Sequence, residues 1–269
     1  MATTASLVFA AGRGSRMKGY EGNKALLPLI PENDPFTGTH PILLEILQNL
    51  PKGPKGVIVH HRKADVMAAT ENLRVSFVEQ PVLNGTGGAL LAARPFLETT
   101  DFDHLVVTMG DVPLVRQETY DALIQALSRN DLMVLGFRPD AKKRYGVLET
   151  DGKQVTRIIE WEYWHQMPQS RQNSLCICNA GIYALRKEIL GQTFSLLAAK
   201  PHQVTKTVNG RTCQVEEYFI TDLIEPLHQS GRSVGFRVTG TPQEVMGVDT
   251  PDALMKAQQI FQRLHASQT

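Results

Sequence analysis

The sequence predicts a doubly wound α/β fold with a mostly parallel, mixed central sheet and a smaller antiparallel lobe. Three observations predict it. Runs of β-branched and apolar residues recur, helix-length segments separate them, and between Tyr145 and Val215 the pattern changes to short alternating segments. Strands that alternate with helices form βαβ units around a parallel sheet. With 269 residues, 42% of them hydrophobic, the chain can build a substantial core.

Seven apolar runs predict the strands of this Rossmann-like sheet. Each is rich in Val, Ile, Leu or Phe and lies between helical patterns, which is typical of strands in a βαβ fold. In chain order the predicted strands are Ser6 to Ala11, Gly56 to His61, Val75 to Glu79, His104 to Met109, Leu132 to Phe137, Cys176 to Leu185 and Val234 to Val238.

Four helices are predicted from start and stop signals. A proline in the first turn, apolar residues at helical spacing and a capping box are typical of helix starts, and glycine or proline of helix ends. The predicted helices follow Pro41 and end at Pro51, follow Gly88 and end before Glu98, run from an Asp222 and Glu225 capping box to Gly231, and start near Pro251.

The smaller lobe is predicted from the alternating segments. GVLETDGKQVTRIIEW, which starts at Gly146, predicts a hairpin around Asp151 and Gly152. We expect one domain over residues 1–269 with two halves. The larger half comprises about 1–140 and 234–255, and the smaller lobe about 141–233.

Charge and hydropathy exclude several classes of protein. The 28 basic and 27 acidic residues nearly cancel, so no overall field draws the chain to nucleic acid or to an anionic membrane. No apolar stretch approaches the roughly 18 residues of a membrane span, and the N-terminus lacks the basic region of a signal peptide. We therefore expect no nucleic-acid partner, no membrane partner and a cytoplasmic location.

The three cysteines fit a reducing compartment better than a disulfide framework, because their number is odd. Cys176 and Cys178 lie two apart in a predicted strand, so they share one face. Besides Cys213 there is no further thiol, and no His-rich segment lies nearby, so we expect buried packing rather than a metal pair.

The segment from Leu7 to Leu29, LVFAAGRGSRMKGYEGNKALLPL, carries the strongest functional signal. An apolar strand leads into a turn with Gly12 and Gly14, followed by Arg16 and Lys24. Backbone N–H groups and fixed positive charge that converge in this way bind phosphates. The spacing fits neither the Walker loop nor the dinucleotide fingerprint. The sequence thus predicts a nucleoside triphosphate site, against the alternative that both cations are solvated loop charges.

Two carboxylates are candidate magnesium ligands. Asp111 ends the strand LVVTMGDVPL, and Asp249 ends a short apolar run in VMGVDTPDAL. Ligands of open α/β sheets collect at the carboxyl ends of strands, and Mg²⁺ prefers oxygen ligands. Helix N-capping remains the alternative for both residues.

A third segment, EQPVLNGTGGALLAA from Glu79, is a candidate base-binding loop. The amide of Gln80 offers donor and acceptor edges to a pyrimidine, and Gly85 and Thr86 lie in a stretch where glycines permit close backbone approach.

These motifs resemble the nucleotidyltransferases that activate sugar phosphates. The glycine loop is similar to their G-x-G-[ST]-R signature ending in P-K, with Asn23 in place of the proline. E-Q with G-T-G, then G-D-x-P-L, and then G-V-D follow along the chain. The resemblance runs from about Leu7 to Leu254 and is closest to the pyrophosphorylase domain of bacterial N-acetylglucosamine-1-phosphate uridylyltransferase.

The resemblance implies a role for each candidate residue. It implies catalytic roles for Arg16 and Lys24 and Mg²⁺ ligation by Asp111 and Asp249. Nucleotide binding is implied for Ala11, Gly12, Gly14, Gln80, Gly85 and Thr86, and amino-sugar binding for Gly146, Glu160 and Asn179. The smaller lobe would then be the acceptor side and the larger half the nucleotide side.

Two departures from the family pattern bear on the acceptor. The chain ends at Thr269 without a left-handed β-helical domain, so acetyl transfer is not expected. The segment Trp161 to Trp164 follows Glu160 and is either a stacking platform for a sugar or a core or subunit-interface cluster, which leaves a homo-oligomer open. The basic run from Lys142 to Arg144 is left out of the site as a solvated loop.

The sequence therefore predicts a Mg²⁺-dependent enzyme that joins a sugar 1-phosphate, in the first place N-acetylglucosamine 1-phosphate, to UTP with release of pyrophosphate. Its chemistry is an in-line attack on the α-phosphate. Three alternatives stay open: the same chemistry on another acceptor or NTP, a molybdopterin-type nucleotidyltransferase, and a regulator that binds nucleotide sugars without turnover.

Overall fold

A computed structural model describes residues 2–12, 14, 16–208 and 211–266. Within these residues the chain forms thirteen strands and ten α-helices. The strands are β1 (Thr4–Phe9), β2 (Pro28–Pro31), β3 (Gly38–Pro41), β4 (Lys55–Val59), β5 (Ser76–Glu79), β6 (His104–Met109), β7 (Leu132–Phe137), β8 (Val147–Asp151), β9 (Gln154–Ile159), β10 (Cys178–Arg186), β11 (His202–Val208), β12 (Arg211–Glu217) and β13 (Val234–Val238).

The helices connect and follow these strands, and short 3₁₀ turns precede some of them. They are α1 (Ile42–Asn49), α2 (Lys63–Ala69), α3 (Gly85–Ala92), α4 (Arg94–Thr99), α5 (Gln117–Ala126), α6 (Trp161–Trp164), α7 (Gln169–Ser174), α8 (Leu190–Ala198), α9 (Ile224–Gln229) and α10 (Pro251–Ala266).

Nine of the strands form one mixed sheet in the order β5-β4-β1-β6-β10-β7-β13-β9-β8. The strands β5, β4, β1 and β6 are parallel, as are β7 and β13, whereas β10 is antiparallel to both β6 and β7. The hairpin β8–β9 is antiparallel and completes the sheet. Two smaller antiparallel sheets pair β2 with β3 and β11 with β12. The predicted mixed α/β class with smaller antiparallel parts is confirmed.

Helices cover both faces of the sheet, which is what doubly wound means. One core cluster joins β1 and β6 to α1, α5 and α10, and the other joins the opposite sides of the same strands to α3, α4, α8 and α9. The strands are apolar on both faces because each face is covered. In β1, for example, Leu7 and Val8 are both fully buried, although their side chains point to opposite faces.

The register of the parallel strands determines where their ends lie. Phe9, the last residue of β1, pairs with Ile58 of β4 on one side and with Met109 of β6 on the other. Residues that follow these strands, among them Gly12, Gln80 and Asp111, therefore lie at the same carboxyl edge of the sheet. Open α/β sheets bind ligands at this edge.

Most sequence-predicted elements are confirmed, with shifts of a few residues at their ends. The hairpin around Asp151 and Gly152 is present, and Gly152 adopts a positive φ of 56° in its turn. Its strands, together with β10, pair into the main sheet, so both predicted halves contribute strands to it. The division into about 1–140 with 234–255 and about 141–233 stays a prediction.

The predicted capping box is wrong. Helix α9 begins at Ile224 without a side-chain cap. The carboxylate of Asp222 instead lies 2.7 Å from Nε2 of His202, in the hairpin β11–β12. The Asp222 carboxylate thus contacts a histidine that is distant in the sequence and does not cap the helix.

The cysteine prediction is half right. Cys178 is buried, and burial raises the pKa of its thiol to about 11. Cys176 is exposed because β10 begins only at Cys178, so Cys176 lies in the preceding loop. The side chain of Cys213 lies outside the described part of the chain. In that described part, no helix combines the length and the apolar character that crossing a membrane requires.

Candidate active site

The glycine-rich loop lies against the side chain of Lys24. Gly14 has a φ of 63°, and a Cβ atom there would lie 3.5 Å from Cβ and Cδ of Lys24. A positive φ favours glycine, so this residue lets the loop approach the lysine stem. Lys24 itself opens a 3₁₀ turn, Lys24–Leu26, whose N-cap is Asn23. The loop and the lysine are therefore placed together by local backbone geometry.

Four predicted site residues meet at the carboxyl edge of the sheet. The ammonium of Lys24 contacts the carboxylate of Asp111 and lies 2.9 Å from Oδ1 of Asp249. The guanidinium of Arg16 lies 3.0 Å from Oδ2 of the same Asp249. Two cations and two carboxylates thus alternate in one cluster.

The electrostatics distinguish the two cations. The Lys24 side chain is 18% exposed and that of Arg16 is 72% exposed. Burial by itself would lower the pKa of Lys24, but Asp111 and Asp249 outweigh it and raise that pKa above its ordinary value. Lys24 is therefore charged at neutral pH and is no solvated loop lysine. Arg16 faces solvent and is held by one ion pair.

Neither Asp111 nor Asp249 caps a helix. The backbone N–H of Arg116, before α5, is bound by the carboxylate of Glu244. The hydroxyl of Thr250, before α10, accepts a hydrogen bond of 3.2 Å from the N–H of Ala253. The capping alternative is thus excluded for both aspartates, whose carboxylates face Lys24.

A backbone hydrogen bond joins the two segments that carry the aspartates. The N–H of Val248 donates to the carbonyl of Asp111 at 2.8 Å. This bond brings residues 111 and 249 side by side although they lie far apart in the chain. The described residues contain no group of three or more His, Cys, Asp or Glu residues suited to a metal. Two carboxylates nevertheless fit Mg²⁺, which usually takes one or two carboxylates together with substrate phosphates and water.

A cavity of about 300 Å³ opens beside this cluster. Lys24 and Asp111 line it together with Gln80 and the loop from Gly85. Its walls also contain Phe9, Ala10, Ala11, Gly12, Asn23, Ala25, Leu83, Thr86, Ala89, Met109, Gly110 and Glu217. The glycine loop, the charged cluster and the candidate base-binding loop therefore share one cavity.

The amide of Gln80 is buried and its donors are already engaged. Its Nε2 group donates to Oδ1 of Asn84 at 2.9 Å and to the carbonyl of Gly85 at 3.1 Å. An amide nitrogen has two N–H donors. The Oε1 atom of Gln80 is therefore the part of the amide that can meet a ligand, and it can only accept a hydrogen bond.

The loop from Asn84 to Gly87 is fixed against the segment that follows β12. The N–H of Gly87 donates to the carbonyl of Tyr218 at 2.7 Å. The hydroxyl of Thr86 accepts from the N–H of Ile220 at 3.1 Å. A Cβ at Gly85 would lie only 2.4 Å from the Tyr218 carbonyl oxygen, and φ there is 87°. Close approach to protein backbone thus explains these glycines.

The three residues implied to hold the acceptor are neighbours. A Cβ at Gly146 would lie 3.0 Å from Oε2 of Glu160, and the N–H of Asn179 donates to the carbonyl of Gly146 at 2.8 Å. Burial raises the pKa of Glu160. The Asn179 amide donates to the hydroxyl of Tyr183 at 2.8 Å, so it is engaged within its own strand.

Tyr145 directly precedes Gly146, in the turn before β8. Burial raises the pKa of its hydroxyl, and the negative charges of Asp249, Cys178 as thiolate and Asp111 act in the same direction. The turn before Gly146 therefore carries a hydroxyl whose pKa responds to both aspartates.

The aromatic segment is packed against the protein rather than open. Trp164 is buried in the core, and its Nε1 group donates to the carbonyl of Tyr145 at 2.8 Å. The ring of Trp161 stacks on His165 at 4.2 Å and lies 4.6 Å from the guanidinium carbon of Arg144. Core packing is therefore right for Trp164, and the ring of Trp161 already has two protein partners.

Comparison with known proteins decides the family. Residues 6–193, more than half of the chain, match the family model described as the MobA-like NTP transferase domain. This stretch contains the glycine loop, Lys24, Gln80, Asp111 and the three acceptor-side residues. The chain belongs to the MobA-like NTP transferase family. The nucleotidyltransferase class predicted from the motifs is thereby confirmed.

Relatives and solved structures agree with this family. The bifunctional protein GlmU of Ruegeria sp. (strain TM1040) is 31% identical over 266 residues, which are 97% of this chain and 53% of that protein. The chain spans about half the length of the curated relatives it matches. The uridine diphosphate N-acetylglucosamine pyrophosphorylase of Trypanosoma brucei has the same fold, with a TM-score of 0.72, 11% identity and coverage of 95% of this chain and 65% of that one.

A second solved structure covers nearly all of both chains. It is a Bacillus anthracis protein described as a glucose-1-phosphate thymidylyltransferase, with a TM-score of 0.67, 19% identity and coverage of 96% of this chain and 95% of that one. At this identity the likeness establishes the nucleotidyltransferase fold.

Sequence reasoning about this NTP transferase domain missed several residues that shape the site. Asn84 engages the amide of Gln80, and Tyr218 holds the loop through its backbone. Glu244, rather than Asp111, accepts the hydrogen bond from the backbone N–H before α5. Asn23 accepts a hydrogen bond from Ala25 in the turn that Lys24 opens. Local signals were available for Asn84, which is polar within the glycine stretch, and for Asn23, whose residue type is favoured at N-caps. The other contacts depend on tertiary structure.

Proposed function

We propose that this chain joins a sugar 1-phosphate to UTP and releases pyrophosphate. One observation carries the proposal. Arg16, Lys24, Asp111 and Asp249 meet in a single cluster beside a cavity that also contains the candidate base-binding loop. Such a cluster can bind a triphosphate and its metal while the base lies in the cavity.

The reaction requires alignment and charge stabilisation rather than a general base. An anionic phosphate oxygen of the acceptor forms a bond to the α-phosphorus of UTP. The bond from that phosphorus to the bridging oxygen breaks, and pyrophosphate leaves with the electron pair. Because the acceptor phosphate is already ionised at neutral pH, no proton has to be removed. The protein accelerates the reaction by holding the two phosphates in line.

Arg16 and Lys24 would supply positive charge to the phosphates, and Asp111 and Asp249 would hold Mg²⁺. Bound Mg²⁺ supplies charge that offsets the repulsion between the two substrates. Lys24 is charged at neutral pH because its two aspartate partners raise its pKa. A preorganised charge of this kind stabilises the transition state without reorganisation during the reaction.

The state of the Gln80 amide is compatible with a uracil base. With both of its N–H donors engaged, Gln80 offers only an acceptor oxygen to a base. Uracil and thymine have an N3–H donor, whereas N3 of cytosine is an acceptor. A Gln80 oxygen that meets the N3 edge of a pyrimidine would accept from uracil or thymine, whereas at the exocyclic edge it would also accept from the N4 amino group of cytosine.

The acceptor pocket is proposed to contain Gly146, Glu160 and Asn179. Their mutual contacts and their closeness to Tyr145 support one binding site next to the charged cluster. N-acetylglucosamine 1-phosphate is the proposed acceptor, in line with the T. brucei pyrophosphorylase, and glucose 1-phosphate is the nearest competitor, in line with the B. anthracis protein.

A panel assay of pyrophosphate release tests the proposal. UTP, dTTP, CTP, ATP and GTP are each combined with N-acetylglucosamine 1-phosphate, glucose 1-phosphate and phosphocholine, with Mg²⁺ or with EDTA. We expect the highest kcat/KM for UTP with N-acetylglucosamine 1-phosphate. In EDTA we expect no release of pyrophosphate. A higher kcat/KM with a different NTP and acceptor would show that this other pair, and not UTP with N-acetylglucosamine 1-phosphate, is the substrate pair. Binding of UTP or a UDP-sugar without turnover on any acceptor would favour a nucleotide-sugar regulator.

A further inference from the structure

Asn23 is the residue that departs from the loop pattern described above, and it is almost completely buried, with 1% exposure. Its amide makes three hydrogen bonds. The Nδ2 group donates to the carbonyl of Ala10 at 3.0 Å and to the carbonyl of His61 at 2.9 Å. Its Oδ1 atom accepts from the N–H of Ala25 at 3.0 Å.

These three bonds connect separate parts of the site. Ala10 follows β1 and His61 follows β4, which are adjacent parallel strands. Ala25 belongs to the 3₁₀ turn that Lys24 opens. The Asn23 side chain therefore ties the turn of Lys24 to the carboxyl ends of two strands. We propose that Asn23 is a positioning residue that holds Lys24 in register with Asp111 and Asp249.

Hydrogen bonds fix the conformation of the chain at Asn23, as the ring fixes the backbone at a proline. A proline fixes φ at about −65° but has no side-chain donors. Asn23 has a φ of −79° and a ψ of 123°, so its backbone lies within the range of proline. A proline would thus fit the backbone here but would leave the carbonyls of Ala10 and His61 and the N–H of Ala25 without these partners.

The position of Lys24 depends on this arrangement because the lysine lies directly after Asn23. The ammonium has to lie between two carboxylates, one that follows β6 and one from the loop before α10. Charge stabilisation of a transition state is sensitive to placement, and a shift of about 1 Å can cost a hundredfold in rate. The inference rests on the proposed function, since Lys24 matters to rate only if the chain transfers nucleotides.

A double-mutant cycle tests whether Asn23 acts through Lys24. The variants are Asn23→Ala, Lys24→Ala and the combination of both, assayed for kcat and KM with UTP. We expect Asn23→Ala to lower kcat/KM about tenfold to a hundredfold in the parent and less than about twofold in the Lys24→Ala background. The same fold-loss in both backgrounds would show that Asn23 does not act through Lys24.

Asn130→Ala is the matched control. The Asn130 amide also makes two side-chain hydrogen bonds, to the carbonyl of Ala126 and to Gln154, but away from the cluster. We expect it to lower the melting temperature and leave kcat/KM unchanged. If Asn23→Ala does not fold, Asn23→Ser replaces it in the cycle, because serine is neutral, offers an acceptor for the N–H of Ala25 and lacks both amide donors.

A crystal structure of the Asn23 variant separates the two proposals. If the parent protein releases no pyrophosphate with any NTP, the proposed function is wrong, and positioning is judged on coordinates alone. We expect the Lys24 ammonium of Asn23→Ala to leave at least one of its aspartate partners. If it keeps both contacts at the parent distances, the positioning role of Asn23 is wrong.

Discussion

At the scale of single residues, Lys24 determines the charge balance of the site. Its ammonium lies between Asp111 and Asp249, and Arg16 pairs with the second of these carboxylates. Without a cation, two carboxylates this close would repel each other. Lys24 therefore has two consequences that can be measured separately, one for the stability of the free protein and one for turnover.

Replacing Lys24 by alanine is expected to lower kcat about a hundredfold, because one preorganised charge contributes about 3 kcal/mol to transition-state stabilisation. Asp111→Asn should have an effect of similar size. Steady-state pyrophosphate release with UTP is the measurement. Lys63→Ala is the control, since Lys63 pairs with Glu79 where both side chains are about half exposed. Near-parental turnover in either site variant would remove that residue from the proposed machinery.

Glu160→Gln is expected to make the protein more stable at neutral pH and less active. Burial raises the pKa of Glu160 above its ordinary value of 4.5, so the folded state disfavours the charged carboxylate. The folded state then binds more protons than the unfolded state, and stability falls as pH rises through the raised pKa. Glutamine cannot ionise and avoids this loss.

Thermal melts at two pH values measure this effect. The melting temperature of Glu160→Gln should exceed that of the parent at pH 7.5, and the difference should vanish below pH 4.5, where both states are protonated. The KM for the sugar phosphate should rise. Glu188→Gln, at an exposed position, is the control. A difference between the Glu160→Gln and parent melting temperatures that is independent of pH would contradict the titration of Glu160.

The cations and carboxylates were predictable from the sequence because each follows a local signal. Arg16 and Lys24 follow a glycine turn, and Asp111 and Asp249 end apolar runs. Their partners were not predictable in this way. The hydroxyl of Thr86, for example, accepts from the N–H of Ile220, 134 residues away. Long-range backbone hydrogen bonds leave no trace in the spacing of residue types.

At the scale of elements, the loop before α3 depends on the segment that follows β12. The chain from Asn84 to Gly87 exchanges backbone hydrogen bonds with Tyr218 in both directions. The sequence pattern predicted a loop that approaches a nucleotide, and the structure adds that the same glycines approach backbone. The capping box at Asp222 failed for a related reason, because a distant histidine bonds that carboxylate.

Gly87→Ala is expected to destabilise the protein by roughly 1–3 kcal/mol and to weaken UTP binding. The added Cβ would lie 2.8 Å from the carbonyl carbon of Tyr218, closer than carbon atoms pack, so the loop has to move. Urea unfolding and calorimetric titration with UTP measure the two effects.

Gly191→Ala, in the first turn of α8, is the matched control. No atom lies within 4 Å of the added Cβ, so we expect stability to be unchanged or higher by up to about 1 kcal/mol. If Gly87→Ala and Gly191→Ala behaved alike, the close contact between the two loops would be refuted.

At the scale of the whole molecule, the site depends on one sheet that takes strands from both predicted halves. The strand β10 lies between β6 and β7, so the acceptor-side part is paired into the nucleotide-side part. One core cluster also joins Val8 and Ile42 to Val147, Ile159 and Trp164. The alternation of strands and helices predicted the fold class. It could not predict where β10 inserts, because strand order depends on which edges meet in space.

This shared core predicts that both halves unfold in one transition. The chain has two tryptophans, Trp161 and Trp164, and both lie on the acceptor side, so their fluorescence reports on that part alone. Far-UV circular dichroism reports on the whole sheet and all helices. Because both core clusters of the described residues join acceptor-side strands to nucleotide-side strands, we expect the two signals to give the same urea midpoint. Trp161→Phe leaves the buried Trp164 as the single fluorescent reporter. Whether or not this substitution changes the stability, the fluorescence and circular dichroism midpoints of the variant should coincide. A fluorescence transition that precedes the circular dichroism transition would show that the acceptor-side part, about 141–233, unfolds independently.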